Sequence, residues 1–158
     1  MNKNILFLVK FFAIFALLQT AVSILPLQPL NEWIAGTESI LTGIENHGNK
    51  IPYDGTNFVI TNSCTSLVSG SILAAIVFAL RKPELKKKIE LFAIGALALF
   101  AVNLLRVYLV ILIGINFGTA AGDLSHTISW FAMSALIITL WFYLTKKRAG
   151  IKDFSELL

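Results

Sequence analysis

Cys64 is the only cysteine of the chain. It stands where a polar run, Thr61-Asn62-Ser63-Cys64-Thr65-Ser66, gives way to the apolar stretch Leu67 to Leu80. Two more side chains of catalytic type lie in apolar surroundings: Arg106, in Asn103-Leu104-Leu105-Arg106, and His126, after Gly122-Asp123-Leu124-Ser125. A thiol, a guanidinium and an imidazole together support acyl transfer. Cys64 as thiolate would attack a carbonyl and form a thioester. His126 would protonate the leaving amine and later deprotonate the incoming nucleophile. Arg106 would hold the oxyanion or the thiolate, in a low-dielectric site where such a charge acts strongly. Thr65 beside Cys64, Asn103 one turn from Arg106 on the same helix face, and Asp123 ahead of His126 are the supporting candidates. Each residue also has a plainer role. Cys64 can be a small packing residue, Arg106 can pair with backbone carbonyls, and a histidine at a membrane interface is unremarkable alone.

The local sequence suggests how these groups are held. Thr61, Asn62 or Ser63 can cap a helix that has Cys64 in its first turn, where unpaired N–H groups favour a thiolate. Asp123 or Ser125 can cap the last helix, which puts His126 in its first turn. A helix N-terminus works against imidazolium as well, so thiolate–imidazolium and thiol–imidazole both stay open. His47, in a Gly- and Asn-rich loop, reads as a solvated residue.

The elements behind these residues are membrane spans. At 158 residues, 56% hydrophobic and 14% charged, the chain is too apolar for a soluble domain and forms a single membrane domain. Its formal charge of +4 does not mark a nucleic-acid binder, because the basic residues sit at the ends of apolar runs. A lone cysteine excludes an intramolecular disulfide, a CxxC pair and a cysteine-based zinc site, and no metal or cofactor is expected. An all-α integral membrane protein is expected, with about four spans at 5–25, 64–80, 91–115 and 126–145.

Lys3 precedes the first span. Arg81, Lys82, Lys86, Lys87 and Lys88 lie in a basic loop at 82–90 and just before it, and Lys146, Lys147, Arg148 and Lys152 follow the fourth span in a tail at 146–158. The connections at 26–63 and 116–125 carry Glu32, Glu38, Glu45, Asp54 and Asp123 against Lys50. The positive-inside rule therefore puts both termini in the cytoplasm of a multi-pass cell-membrane protein and those two loops outside. Ala21-Val22-Ser23 also fits a signal-peptide cleavage site. The apolar run is long for that and Lys10 interrupts it, so a retained span is the reading taken here.

In the first outer loop Pro29 opens a segment where Leu30, Trp33, Ile34, Ile40, Leu41 and Ile44 recur at helical spacing. Asn31, Glu32, Glu38 and Glu45 fall on other faces. An interfacial amphipathic helix is expected, with Trp33 at headgroup level. Asp54-Gly55 between short apolar arms then predicts a hairpin just before Cys64. Ser66, Gly70 and Ala74 predict a small-residue packing face on the second span. Counting helix rise from the basic anchors brings Cys64, Arg106 and His126 to similar depths, ~25, ~24 and ~30 Å above the cytoplasmic side. A site just under the outer surface follows.

With these residues in place the chain resembles the exosortase/archaeosortase family of integral-membrane cysteine transpeptidases. The resemblance runs from about Gly48 to Phe142. It rests on the hairpin-like segment leading into Ser63-Cys64-Thr65, on Asn103-Leu104-Leu105-Arg106-Val107, and on His126 at the head of the last span. The family's Cys, Arg and His fall on Cys64, Arg106 and His126. Ser66 and Trp130 stand where the family commonly has glycine. The resemblance implies cleavage of surface proteins that carry a C-terminal motif, a transmembrane helix and a basic tail, and their transfer to a lipid or other anchor. It implies no nucleic-acid partner. The competing readings are a cysteine protease with water as second nucleophile, an anion transporter using Arg106, and an assembly subunit without chemistry.

The topology is open to a direct test. A reporter fused after Leu158 or within 83–88 should be cytoplasmic, and one near His47 external. A cytoplasmic signal at His47 would turn Cys64 and His126 toward the wrong compartment.

Overall fold

The computed structural model of the chain describes residues 2–149. Lys152 and the rest of the tail at 150–158 lie outside the described residues. The element order is α1 (Lys3–Ile24), α2 (Gln28–Thr42), β1 (Lys50–Tyr53), β2 (Thr56–Val59), a 3-10 turn (Asn62–Cys64), α3 (Leu67–Ala79), α4 (Leu85–Phe117) and α5 (Thr119–Ala149). The expected all-α membrane architecture holds.

Helices α1, α4 and α5 are long and apolar enough to cross a membrane. Helix α1 is apolar on every side and buries none of its residues, as suits a helix solvated by lipid. The expected second span is shorter than foreseen. Helix α3 has 13 residues, which is ~20 Å of helix against ~30 Å of hydrocarbon. It starts late because the polar run before it satisfies itself. Thr65 Oγ1 donates to the Asn62 carbonyl at 2.6 Å and accepts the Leu67 N–H at 3.4 Å, bonds that compete with helix formation. Ser66 then takes φ 60°, the left-handed region that glycine occupies most readily. Cys64 is therefore not in the first turn of a helix. Nor does Ser66-Gly70-Ala74 form the packed face: Ser66 precedes the helix and a Cβ at Gly70 would meet nothing within 4 Å.

The described residues form two compact units. One comprises 2–24, 68–99 and 134–149; the other comprises 25–67 and 100–133. In the first, Leu73, Ala75, Val77, Leu91, Ile137 and Trp141 are buried, and Leu73 lies so close to Gly95 that a Cβ there would come within 2.6 Å of it. The basic connection is shorter than the expected 82–90. Lys86, Lys87 and Lys88 belong to α4, as strong helix formers can, and Lys88 Nζ donates to the Leu80 carbonyl.

The second unit carries the candidate site. Its core joins Ile34, Ala35, Ile51, Ile60, Val107 and Ile111 to Cys64. The hairpin is as expected. Asp54 and Gly55, at φ 45° and 75°, make the two-residue turn whose twist matches the strands. The strands are antiparallel with Ile51 opposite Phe58 and Pro52 opposite Asn57. Strict alternation leaves Pro52 at a position that owes the ladder no N–H, which is why a proline is tolerated there. His47 is exposed and bridges Lys50 through the backbone.

Beyond the hairpin, the expected outer loop at 116–125 shrinks to Gly118, at φ 89° between α4 and α5. The two helices approach closely at Gly114 and Gly122. A Cβ on Gly122 would lie 3.1 Å from the Gly114 Cα, and one on Gly114 would strike the Phe58 ring.

Helix α2 exists where expected and ends at Gly43, φ 73°, whose N–H bonds to the Ser39 carbonyl, a left-handed helix cap. Its exposed apolar residues fit the interfacial reading of the sequence. Asn31, Ile34, Ala35 and Glu38 are buried, while Trp33, Ile40 and Leu41 are exposed. Asn31 Nδ2 donates to Asn62 Oδ1 at 2.9 Å, and Trp33 stacks on Phe100 with ring centroids 5.9 Å apart. Glu38 is 0% exposed, and neither of its oxygens has a hydrogen-bond partner among the described residues.

Burial raises the Glu38 pKa from 4.5 to about 7. An acid whose folded pKa is raised costs little below its unfolded pKa, and its cost grows as pH climbs from about 4.5 to about 7. Glu38→Gln should therefore stabilise the protein more at pH 8 than at pH 5, by ~2–3 kcal/mol. Thermal unfolding in detergent at the two pH values measures this, and an equal gain at both would refute it.

Candidate active site

Cys64 closes the 3-10 turn that follows β2, and its N–H donates to the Thr61 carbonyl at 2.8 Å. The residue is 7% exposed, and its thiol lies 3.8 Å from Thr61 Oγ1, which itself pairs with Ser63 Oγ at 2.7 Å. Cys64 precedes α3, which starts at Leu67, so it lies outside the helical first turn expected for it. The positive charge near it is the guanidinium of Arg106, which lies within electrostatic reach of both Cys64 and His126.

Arg106 and Asn103 fall on one face of α4, as their spacing predicts. Val107 and Ile111 continue that face into the core, while Val102, Leu105 and Leu109 are exposed on the other side. Asn103 is 2% exposed and its Nδ2 donates to the Cys64 carbonyl at 2.5 Å. Arg106 is 8% exposed, and its Nε and Nη2 have no hydrogen-bond partner among the described residues. A buried guanidinium with two free N–H groups on one edge offers a forked donor to an anion.

His126 lies well inside α5, which begins at Thr119. Asp123 and Ser125 do not cap this helix. Ser125 Oγ donates back to the Gly122 carbonyl at 2.7 Å, so the helix terminus foreseen beside His126 is absent. Two charges of opposite sign, Arg106 and Asp123, act on the imidazole instead. The Trp130 ring lies beside it, with centroids 6.3 Å apart.

Cys64, Asp123 and His126 line one cavity of about 240 Å³. Thus the second unit brings the thiol, the imidazole and the neighbouring carboxylate to a common space. Arg106, Asn103 and Thr65 stand outside that lining, Thr65 fully buried and bonded within the turn.

Sequence reasoning did not foresee the rest of the wall. It is formed by Asn57 to Thr61 from the hairpin, by Val107, Val110 and Ile111 from α4, and by Gly122. The signal was available in the hairpin's position, since β2 ends only a few residues before Cys64. Among the described residues no group of three or more His, Cys, Asp or Glu side chains could hold a metal ion.

Neither a curated protein nor a solved structure matches the chain. Residues 3–143, however, match the family described as Transmembrane exosortase (Exosortase_EpsH). With that match covering most of the chain and the whole unit that holds Cys64, Arg106 and His126, the chain belongs to the transmembrane exosortase family.

Proposed function

We propose that the protein is a membrane-embedded cysteine transpeptidase that cleaves C-terminal sorting signals of surface proteins and passes them to an anchor. The observation that carries this reading is the grouping in one unit of Cys64 and His126 on a shared cavity, with buried Arg106 acting on both. Membership of the family supports the same reaction.

In the proposed mechanism the Cys64 thiolate attacks the scissile carbonyl, and the negative charge moves to the carbonyl oxygen. The free edge of Arg106, Nε–H and Nη2–H, is the donor suited to that charge, first on sulfur and then on oxygen. Collapse of the tetrahedral intermediate breaks the C–N bond. His126 supplies the proton to the departing amine and leaves a thioester on Cys64. A second nucleophile then gives its proton to His126 and attacks the thioester, releasing the transferred product and restoring the Cys64 thiolate beside a protonated His126. Asp123 offers the imidazole an opposite charge when it is protonated. Asn103 acts through Cys64: by holding its carbonyl it fixes the turn and so the direction of the thiol.

The reaction is placed on the outer side of the cell membrane, with both termini in the cytoplasm. The distribution of Lys and Arg along the chain supports this. The substrates are surface proteins ending in a motif, a transmembrane helix and a basic tail, and the acceptor is a lipid or other anchor amine or hydroxyl.

Cys64→Ser should abolish processing of a co-expressed secreted protein with such a terminus, and product mass distinguishes anchor transfer from hydrolysis. Arg106→Lys should lose at least ~100-fold in processing while accumulating normally, because a lysine cannot reproduce the fork. Near-full activity in Arg106→Ala would reduce that residue to packing. Continued processing by Cys64→Ala would remove the nucleophile.

A further inference from the structure

The two edges of the small sheet are not alike. In an antiparallel pair, opposed residues alternate between exchanging hydrogen bonds with each other and pointing those groups outward. Tyr53 and Thr56 flank the two-residue turn and exchange bonds, so Pro52 and Asn57 do not; Ile51 and Phe58 do; Lys50 and Val59 do not. The phase is fixed independently one step further on, where the Ile60 N–H donates to the Asn49 carbonyl and Asn49 Nδ2 to the Ile60 carbonyl, both at 2.8 Å.

The outer edge of β1 is closed. Lys50 spends its outward N–H and C=O on His47, at 3.2 and 2.8 Å, and Pro52 has no N–H to offer. Edge strands are ordinarily blunted in such ways. Among the described residues the outer edge of β2 has no such protection. Asn57 and Val59 aim their N–H and C=O groups away from β1, and both residues are exposed, Val59 by 45%. It is also β2, and no residue of β1, that lines the cavity holding Cys64 and His126. The unguarded edge is the one beside the nucleophile.

That cavity, about 240 Å³, is small beside a typical ligand pocket of about 300–1,000 Å³ and suits side chains of a peptide better than a buried length of it. A peptide cleaved there must lay its main chain along the rim. From the open edge of β2 we infer that the substrate docks as a third strand: an extended segment next to the scissile bond pairs with Asn57 and Val59, which delivers its carbonyl to Cys64. The inference rests on the acyl-transfer reading above and adds how the substrate is gripped. Recognition through main-chain groups tolerates many sequences, with specificity left to the alternate side chains that turn toward the cavity and toward Phe58.

The test uses the full chain in detergent with two thiol reagents, and intact mass reports labelling of Cys64. One is a randomised tripeptide acyloxymethyl ketone, which must lie extended to react; the other is iodoacetamide, which need not. Asn57→Pro and Val59→Pro each delete an outward N–H while leaving the hairpin ladder its bonds. Each should slow the peptide reagent ~10-fold or more relative to iodoacetamide labelling of the same variant. A second arm needs no variant: tripeptide reagents N-methylated at one amide at a time should lose labelling of the wild-type chain at alternate positions.

Peptide labelling that ignores both prolines and every methyl group, with iodoacetamide still reacting, would overturn the docking strand and leave the nucleophile standing. Failure of the wild-type chain to react with either reagent would instead refute the acyl-transfer reading, and the docking strand with it.

Discussion

The bond from Asn103 Nδ2 to the Cys64 carbonyl holds the site together. Cys64 ends a single 3-10 turn with no helix behind it to take that carbonyl, and a buried carbonyl without a partner costs about 1–3 kcal/mol. Asn103 satisfies it from α4, a rigid element, one helical turn from Arg106. The distance between thiol and guanidinium is thereby set by the geometry of one helix rather than by a loop. Thr65, bonded to Asn62 and to Leu67 on either side, locks the rest of the turn. A turn pinned at both ends can present a nucleophile without the helix that the sequence suggested for it.

Much of this was legible in the residues because some signals have a single structural solution. Asp54-Gly55 between apolar arms admits the two-residue turn found, and Asn103 and Arg106 at three-residue spacing must share a helix face wherever the helix ends. The starts of α3 and α5 were misread for a common physical reason. Ser, Thr, Asn and Asp were taken as caps, but their side chains can also bond backward inside a turn or helix. Thr65 does so before α3. Ser125 and Thr127 do so within α5, to the carbonyls of Gly122 and Asp123. Polarity at a boundary marks hydrogen-bonding capacity and not the direction in which it is spent.

Helix α2 was read as an interfacial amphipathic helix, and its exposed residues fit that reading. Periodicity shows that one face is apolar, and beside a membrane that face need not meet the core. Here Trp33, Ile40 and Leu41 are exposed, and Asn31 and Glu38 are buried with Ile34 and Ala35. In a chain with three spans, the medium beside such a helix includes lipid, so its apolar residues need no protein cover. What then decides the inward face is hydrogen bonding, as in the Asn31–Asn62 pair that ties α2 to the turn bearing Cys64.

Glu38 and Arg106 are both buried in this unit, and each has charged-group atoms without a partner among the described residues. Their burial is relieved differently. Desolvation alone accounts for the state of Glu38, and a carboxyl can answer desolvation by taking up a proton. A guanidinium cannot lose its proton in a protein. Arg106 must therefore keep its charge in a place that penalises it, and that penalty falls when an anion arrives. Cys64 is a neighbour whose charge would act on it, and in the proposed acyl transfer the anions formed beside it are a thiolate and an oxyanion. A group that would merely fill space could be neutral and better packed at lower cost. A fixed positive charge, buried and with Nε and Nη2 unpartnered among the described residues, fits the anion that the proposed reaction would form.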